Sequence, residues 1–427
     1  MRMRGVARLH LSGSEATRRQ VLHGLTAAGV ILSAPAVIGQ ARPRVVVVGG
    51  GAGGATAARH MAETLDVTLV EPNPVYRSCF FSNLAIGGFV AFDALAHDYT
   101  GVTATGVRLI QARAAGVDEG AVKLEDGTQL AFDRCVLAPG IAFREDSLPG
   151  WSPSDEERIP SAYMTGGRPE RIREQILNLP EGGTWCLVAP PDPSRCPPAP
   201  YERASMAAHL LKQNNPRAKI LIVDPKAKYA KQALFEEGWQ EHYTGMIDRL
   251  GPDFGTGNLE IRPDAMEVVV DGMAEAADAI NVIPAQQAGA IAHLAGVTDD
   301  TGWAPVEPTA MRSRLRPDVH VVGDAAHPGG IPKAASAAVS EARVAAAAIV
   351  AELTGAPLPE PSYASACWSA IAGDDSVSEA TSFRPGPDGL EAVAHEISQT
   401  GEDAAVRRAN WDNAFSWYAS ITAEIFG

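Results

Sequence analysis

The pattern of hydrophobic positions settles into order after residue 40. Val45-Val46-Val47-Val48 is an unbroken β-branched run, as a parallel strand reads when both its faces are buried. It leads directly into Gly49-Gly50-Gly51-Ala52-Gly53-Gly54, and residues 55–65 have helical composition. A second strand is predicted over 67–70, ending in Glu71. A hairpin is expected around the Asp126-Gly127 turn, before a strand-end turn at Leu137-Ala138-Pro139-Gly140. Residues 151–274 alternate again, with helices predicted over 169–177 and 201–213 and strands over 184–189 and 220–223. Val319-His320-Val321-Val322-Gly323-Asp324-Ala325 reads as a short strand ending in Gly-Asp. Ile331-Pro332-Lys333 opens an Ala-rich helix over 334–353, and a Pro-rich linker at 357–361 precedes the C-terminal segment.

Strand, glycines, helix, strand and acid follow one another in the order of a dinucleotide-binding unit. Gly49, Gly51 and Gly54 fill the G-x-G-x-x-G frame. They permit a tight turn and a close backbone approach to a pyrophosphate, which then meets the positive end of a helix. Glu71, seventeen residues past the last glycine, is placed to bond the ribose hydroxyls of an adenosine. Gly140 closes the strand-end turn, and the Gly323-Asp324 pair fits the flavin proteins with two dinucleotide folds, whose Asp holds the ribityl chain and a flavin phosphate. The fold class expected is α/β: a glutathione-reductase-like flavoprotein with two dinucleotide-binding domains. The FAD domain is split, 41–150 and 275–355. A second Rossmann-like domain occupies 151–274, and a C-terminal α+β domain 356–427. In the second domain the loop after strand 184–189 is Pro190-Pro191-Asp192-Pro193-Ser194-Arg195-Cys196-Pro197-Pro198. Prolines donate no N–H, so the loop is poorly built for a pyrophosphate and NAD(P)H is not expected to be a substrate.

Residues 1–40 change the picture of location. Arg18-Arg19 precedes a short, Gly/Ala-rich apolar run over 25–32 and the small residues Ser33-Ala34-Pro35-Ala36. That reads as a Tat export signal cleaved between Ala36 and Ala41, and hence a periplasmic protein. The run falls short of the ~20 apolar residues of a membrane span, and no later segment approaches one. Composition agrees with a globular chain of 427 residues, 46% hydrophobic. The net charge is −15, and loss of residues 1–40, with five Arg and one Glu, takes it to −19. Such a balance excludes a nucleic-acid binder and suits a basic protein partner.

Five cysteines do not make a disulfide scaffold. The sequence has no Cys/His cluster at metal-binding spacing. It has no C-x-x-C-H motif either, so no haem is attached to this chain. Cys135 and Cys186 lie in strand-like runs and read as buried structural thiols. Cys196 stands in the proline loop, where function concentrates, and Cys367 beside Trp368. A bond between those two is possible in an exported protein, either as a redox centre or as a clip on the C-terminal region; spacing does not decide. Cys79, in Tyr76-Arg77-Ser78-Cys79-Phe80-Phe81-Ser82-Asn83, reads as a redox cysteine or a covalent anchor beside the flavin.

The Gly-rich motif, the Tyr76–Asn83 stretch, Arg195-Cys196-Pro197-Pro198-Ala199-Pro200-Tyr201-Glu202-Arg203, Val322-Gly323-Asp324-Ala325 and the closing 413–427 segment together resemble the flavin-binding subunit of flavocytochrome c sulfide dehydrogenase. The resemblance implies an FAD held by a thioether at Cys79 and a redox-active Cys196–Cys367 disulfide. It also implies an active-site acid at Glu202 and Trp417 close to the flavin. Hydrosulfide would be the substrate and a c-type cytochrome subunit, carrying the haem, the partner in a heterodimer. Lys333 and the helix it precedes are expected to supply positive charge to the reduced flavin. Two rivals stand beside this reading: a sulfide:quinone oxidoreductase and a non-catalytic FAD-binding protein.

Overall fold

The computed structural model describes residues 42–164 and 167–427; the expected export signal lies outside the described residues. Strand Arg44–Val48 sits inside an eight-stranded sheet, between Asp66–Val70 and Arg134–Leu137, parallel to both. Val45, Val46 and Val47 are 0–2% exposed, as the continuous apolar run requires when helices cover both faces. Burial of each such side chain contributes roughly 1.5–3 kcal/mol. Helix Ala52–Ala62 follows the glycines, and its small residues let it pack against helix Ala335–Thr354. Strand Val319–Val321 returns from far along the chain to pair with Arg134–Leu137, in register Val319↔Cys135. That return brings Gly323 and Asp324 to the same sheet end as the glycine loop.

A second, four-stranded parallel sheet has the order Ile247–Leu250, Lys219–Val223, Thr184–Val188, Ala279–Val282. This corrects the expected return to the first domain at residue 275. Ala279–Val282 is buried at every position and pairs with Thr184–Val188, and the first sheet resumes only at Ala304–Glu307. Nothing in that four-residue apolar run says which of two parallel sheets it joins; its partner strand does. Helices Pro169–Leu177 and Ala199–Asn214 flank this second sheet close to their predicted positions.

Beyond the Pro-rich linker, Tyr363–Ala372, Asp375–Gly386 and Gly389–Ile397 form an antiparallel meander, followed by helix Ala404–Phe426. The first strand wedges between helices Ala199–Asn214 and Ala335–Thr354. Helix Gln232–His242 also reaches it: a Cβ on Gly238 would lie 2.3 Å from Ile371 Cγ2. That packing carries Cys367 from the C-terminal segment onto the proline loop.

Candidate functional site

The glycine loop has the shape of a dinucleotide cradle. Gly49 has φ +100°, and a Cβ there would lie 2.3 Å from the Ala138 carbonyl oxygen. A Cβ on Gly54 would meet the Gly49 carbonyl oxygen at 1.8 Å, so the helix can approach the strand only with glycine there. Around Gly51, among the described residues, only the Tyr76 ring comes near, at 3.6 Å. The backbone is thus open to a ligand just where the helix presents its unpaired N–H groups. The first turn carries no acidic side chain to repel an anion. Glu71, at the end of the second strand, accepts bonds from Gly50 N (2.8 Å) and from Asn73 N and Nδ2 (2.9 and 2.7 Å). These residues fit the adenosine diphosphate half of an FAD.

The two cysteines expected to act together are together. Cys196 and Cys367, 171 positions apart in the chain, are free thiols close enough for each to shift the other's ionisation. Cys196 sits in the left-handed region at φ +49°, a conformation that costs of order 1 kcal/mol for a non-glycine residue. It is fixed by Cys196 N donating to Lys333 O (2.7 Å) and Ala199 N donating to Cys196 O (2.9 Å). The Cys367 thiol is 3.6 Å from Trp368 O and 4.0 Å from Ser369 Oγ. Their contact with one another separates the pair: the Cys196 thiol is pushed up and the Cys367 thiol pulled down.

Glu202 joins the pair from the first turn of helix Ala199–Asn214. Its Oε1 accepts from Ala370 N (2.9 Å) and its Oε2 from Asn83 Nδ2 (2.7 Å). Burial dominates those bonds and raises the carboxyl to about 7. Asn83 is locked in turn by Arg203, which also donates to Ser161 O and Asn281 Oδ1, both at 2.9 Å. The Asn83 end of the Cys79 motif and the Arg203 end of the proline-loop motif are thereby tied to one buried network. Cys79 itself is exposed, and near enough for its charge to bear on Cys196, Tyr76, Tyr163 and Arg195. Trp417 packs on Trp368, next to Cys367, at 5.5 Å between ring centroids and on Phe80, next to Cys79, at 5.9 Å.

Other expected residues have more specific places. Gly140 has φ +66° and stands against Arg195, whose Nη2 would lie 2.9 Å from an added Cβ. Asp324 faces the same arginine, accepting from Arg195 Nε at 2.6 Å, and Gly323 N donates to Glu341 Oε2 at 2.6 Å. Lys333, expected to bring positive charge to the flavin, is held firmly in place. Its ammonium is bonded to the carbonyls of Asp324 (2.7 Å) and Ala326 (2.9 Å) and lies 3.8 Å from the Trp303 ring. Two of its three N–H groups are thereby used, and burial lowers its pKa to about 8. Cys135 and Cys186 are buried, and burial pushes both thiols up, which makes them inert.

Sequence reading missed Lys231. It is 7% exposed, at φ +61°, at the start of helix Gln232–His242, and donates to Cys367 O (3.1 Å) and Ser369 Oγ (3.2 Å). A lysine at a helix N-terminus opposes the macrodipole, and that misfit was the one available signal.

In the second sheet the N–H groups at the start of helix Ala199–Asn214 are already taken. Pro198 and Pro200 have no N–H; Ala199 N is bonded to Cys196 O, and Tyr201 N and Glu202 N to Pro198 O. Asp224, where the next strand ends, is fully buried and bonded to Tyr201 Oη, Lys226 and Arg249. Among the described residues no group of His, Cys, Asp and Glu could hold a metal ion, and no helix is long and apolar enough to cross a membrane.

Residues 43–163 match the family model of pyridine nucleotide-disulphide oxidoreductases. Residues 170–284 match the central part of the sulfide dehydrogenase [flavocytochrome c] flavoprotein chain, and residues 359–426 the flavocytochrome c sulphide dehydrogenase flavin-binding domain. With the cradle and the thiol pair, these matches define a flavoprotein with the disulfide-oxidoreductase fold. Within that class the chain belongs to the flavoprotein family of flavocytochrome c sulfide dehydrogenase. A 43-residue stretch is 51% identical to the sulfide dehydrogenase flavoprotein chain of Chlorobaculum thiosulfatiphilum, covering 9% of this chain and 90% of that one. The mitochondrial sulfide:quinone oxidoreductase of Mus musculus is 23% identical over 304 residues, 66% of this chain and 65% of that relative, just under two thirds of its length. Solved structures show the shared fold. The sulfide:quinone oxidoreductase of Aquifex aeolicus has TM-score 0.68 at 17% identity, over 90% of this chain and 92% of that one. NDH2 of Plasmodium falciparum, in complex with NADH, has TM-score 0.65 at 10% identity, over 90% and 97%.

Proposed function

We propose that this chain is the flavin subunit of a periplasmic, Tat-exported sulfide dehydrogenase that passes electrons to a c-type cytochrome subunit carrying the haem. The observation that carries the reading is the approach of Cys196 and Cys367 to one another, with Cys79 near enough for its charge to bear on Cys196. Gly49, Gly51, Gly54 and Glu71 would hold the adenosine half of FAD. Gly140, Gly323 and Asp324 line its continuation, and Cys79 would carry it through a thioether. When bound, FAD supplies a two-electron acceptor that can give electrons up singly.

The chain's own residues do the sulfur chemistry. In the oxidised pair, hydrosulfide attacks one sulfur of Cys196–Cys367: a new S–S bond forms, the old one breaks, and the other cysteine leaves as a thiolate. The left-handed Cys196 is held by backbone bonds on both sides, so it keeps its place when the bond opens. Glu202, raised to about 7 by burial, is suited to hold or release a proton beside the pair near neutral pH. Lys333 and the N-terminus of helix Ala335–Thr354 set a positive potential behind Asp324.

The test is spectroscopic. Sulfide should bleach the flavin of the purified protein anaerobically, and the yellow colour should stay with the polypeptide after acid precipitation but be lost in Cys79→Ser. Flavin free in the wild-type supernatant, or no bleaching by sulfide, overturns the corresponding part. Because relatives named sulfide:quinone oxidoreductase share the fold, quinone reduction is the rival, and turnover with cytochrome c against a soluble quinone analogue decides.

A further inference from the structure

The two cysteines differ little in exposure, since both are half-buried. They differ in what stands behind them. Cys367 is backed by the ammonium of Lys231, which donates to Cys367 O and to Ser369 Oγ, and that hydroxyl lies 4.0 Å from Cys367 Sγ. Among the described residues no cation is bonded to Cys196: Arg203 is near enough to feel its charge, but its guanidinium is spent on Asn83, Ser161 and Asn281, and the backbone N–H and carbonyl of Cys196 are both used in fixing the loop. Lys231 holds this place against two local costs: a left-handed backbone, which glycine would adopt freely, and a helix N-terminus, which repels a cation. Its ammonium is also nearly out of water, at 7% residue exposure. Three unfavourable features converge on one side chain whose charge is aimed at one sulfur's surroundings.

Resting on the sulfide reading above, we propose that Lys231 makes Cys367 the leaving thiolate, so that the incoming sulfur is delivered to Cys196. The balance is complete without an outside oxidant. HS⁻ forms a bond to Cys196 Sγ, the Cys196–Cys367 bond breaks with its electron pair on Cys367 Sγ, and a Cys196 persulfide and a Cys367 thiolate result. The substrate sulfur is oxidised and the disulfide reduced. Thiolate departure is faster the better its charge is stabilised, and a desolvated ammonium stabilises it more than one in water. The ionisable groups around Cys367 are few. Cys196 faces it from the proline loop, Glu202 from helix Ala199–Asn214 and Lys231 from the start of helix Gln232–His242. Glu379 stands opposite it on the neighbouring strand, with its carboxylate bonded to His395. Both carboxylates oppose a negative Cys367, which leaves Lys231 as the cation that favours it. The lowered Cys367 thiol agrees with this, although contact with Cys196 is the larger cause.

The test uses the holoprotein. In the anaerobic, dithionite-reduced protein, the pH dependence of Cys367 alkylation by iodoacetamide is read by peptide mass, in wild type, Lys231→Met and Lys231→Arg. The expected result is a midpoint for Cys367 that rises by at least one pH unit in Lys231→Met and returns most of the way in Lys231→Arg. Superimposable wild-type and Lys231→Met profiles overturn the proposal. Should Lys231→Met not hold flavin, Ser369→Ala, which removes the linking hydroxyl, is read the same way and should shift the midpoint in the same direction. In parallel, oxidised wild type given one equivalent of sulfide and trapped by alkylation should carry the extra sulfur on the Cys196 peptide; recovery on the Cys367 peptide also overturns it. The alkylation profile does not need sulfide to be a substrate, so failure of sulfide to bleach the flavin would refute the function and leave the Lys231 result legible by itself.

Discussion

Burial raises the Glu202 carboxyl from 4.5 to about 7, against the pull of Ala370 N–H and Asn83. Its folded value is therefore above its unfolded one, and the folded state binds the extra proton. The associated stability is fully present below about pH 4.5 and is lost as pH rises through about 7. Glu202→Gln keeps the size and neutrality of the protonated form. Its melting temperature should match wild type near pH 4.5, exceed it increasingly between about pH 5 and 7, and keep that excess above pH 7. A constant difference across that range would show that the carboxyl does not titrate there. Lys333 and Glu341, whose opposite charges act on each other beside Gly323, titrate in both proteins and cancel in the comparison.

At the scale of elements, the proline loop and the strand after it bear on nicotinamide cofactors. A pyrophosphate needs free N–H groups at a helix start. Here two of the first positions are prolines and the next N–H groups are spent on Cys196 and Pro198. The acid that would meet a ribose, Asp224, is committed to Tyr201, Lys226 and Arg249. NADH is accordingly expected not to bleach the flavin under anaerobic conditions, even at millimolar concentration, and rapid bleaching would refute this, neighbours with bound NADH notwithstanding. Asp224→Ala should lower stability by ~2–3 kcal/mol, because it removes the buried carboxylate that pairs the half-buried Lys226 and Arg249; denaturant titration reads it, and a loss under 1 kcal/mol would make the cluster dispensable. The same elements show what the sequence could tell. The glycine cradle, both cofactor strands and the proline loop are local patterns and were legible as written. The sheet that takes Ala279–Val282 was not, because a short apolar strand carries no label for its partner. Lys231 was illegible for a related reason: it lies 136 positions from Cys367, and only the wedge of the Tyr363–Ala372 strand brings them together. The cysteine pairing came from family resemblance, since spacing alone left it open.

Charge is the property of the whole molecule that bears on its partner. The chain carries −15, and −19 without residues 1–40, while most of its arginines near the site are consumed internally, Arg195 by Asp324 and Arg203 by Asn83, Ser161 and Asn281. An acidic surface of this size raises the encounter rate with a basic protein, and salt reduces that gain as the screening length shrinks to about 8 Å at 0.15 M. A neutral quinone analogue would feel no such field. Sulfide-driven reduction of a basic cytochrome c should therefore slow by about tenfold or more between 10 and 200 mM salt, while flavin bleaching by sulfide in the absence of acceptor should change little. Both rates are read by stopped flow, one with the cytochrome present and one without it. A cytochrome rate insensitive to salt would remove electrostatic docking from the proposed electron route, and faster salt-independent turnover with the quinone analogue would favour the rival acceptor.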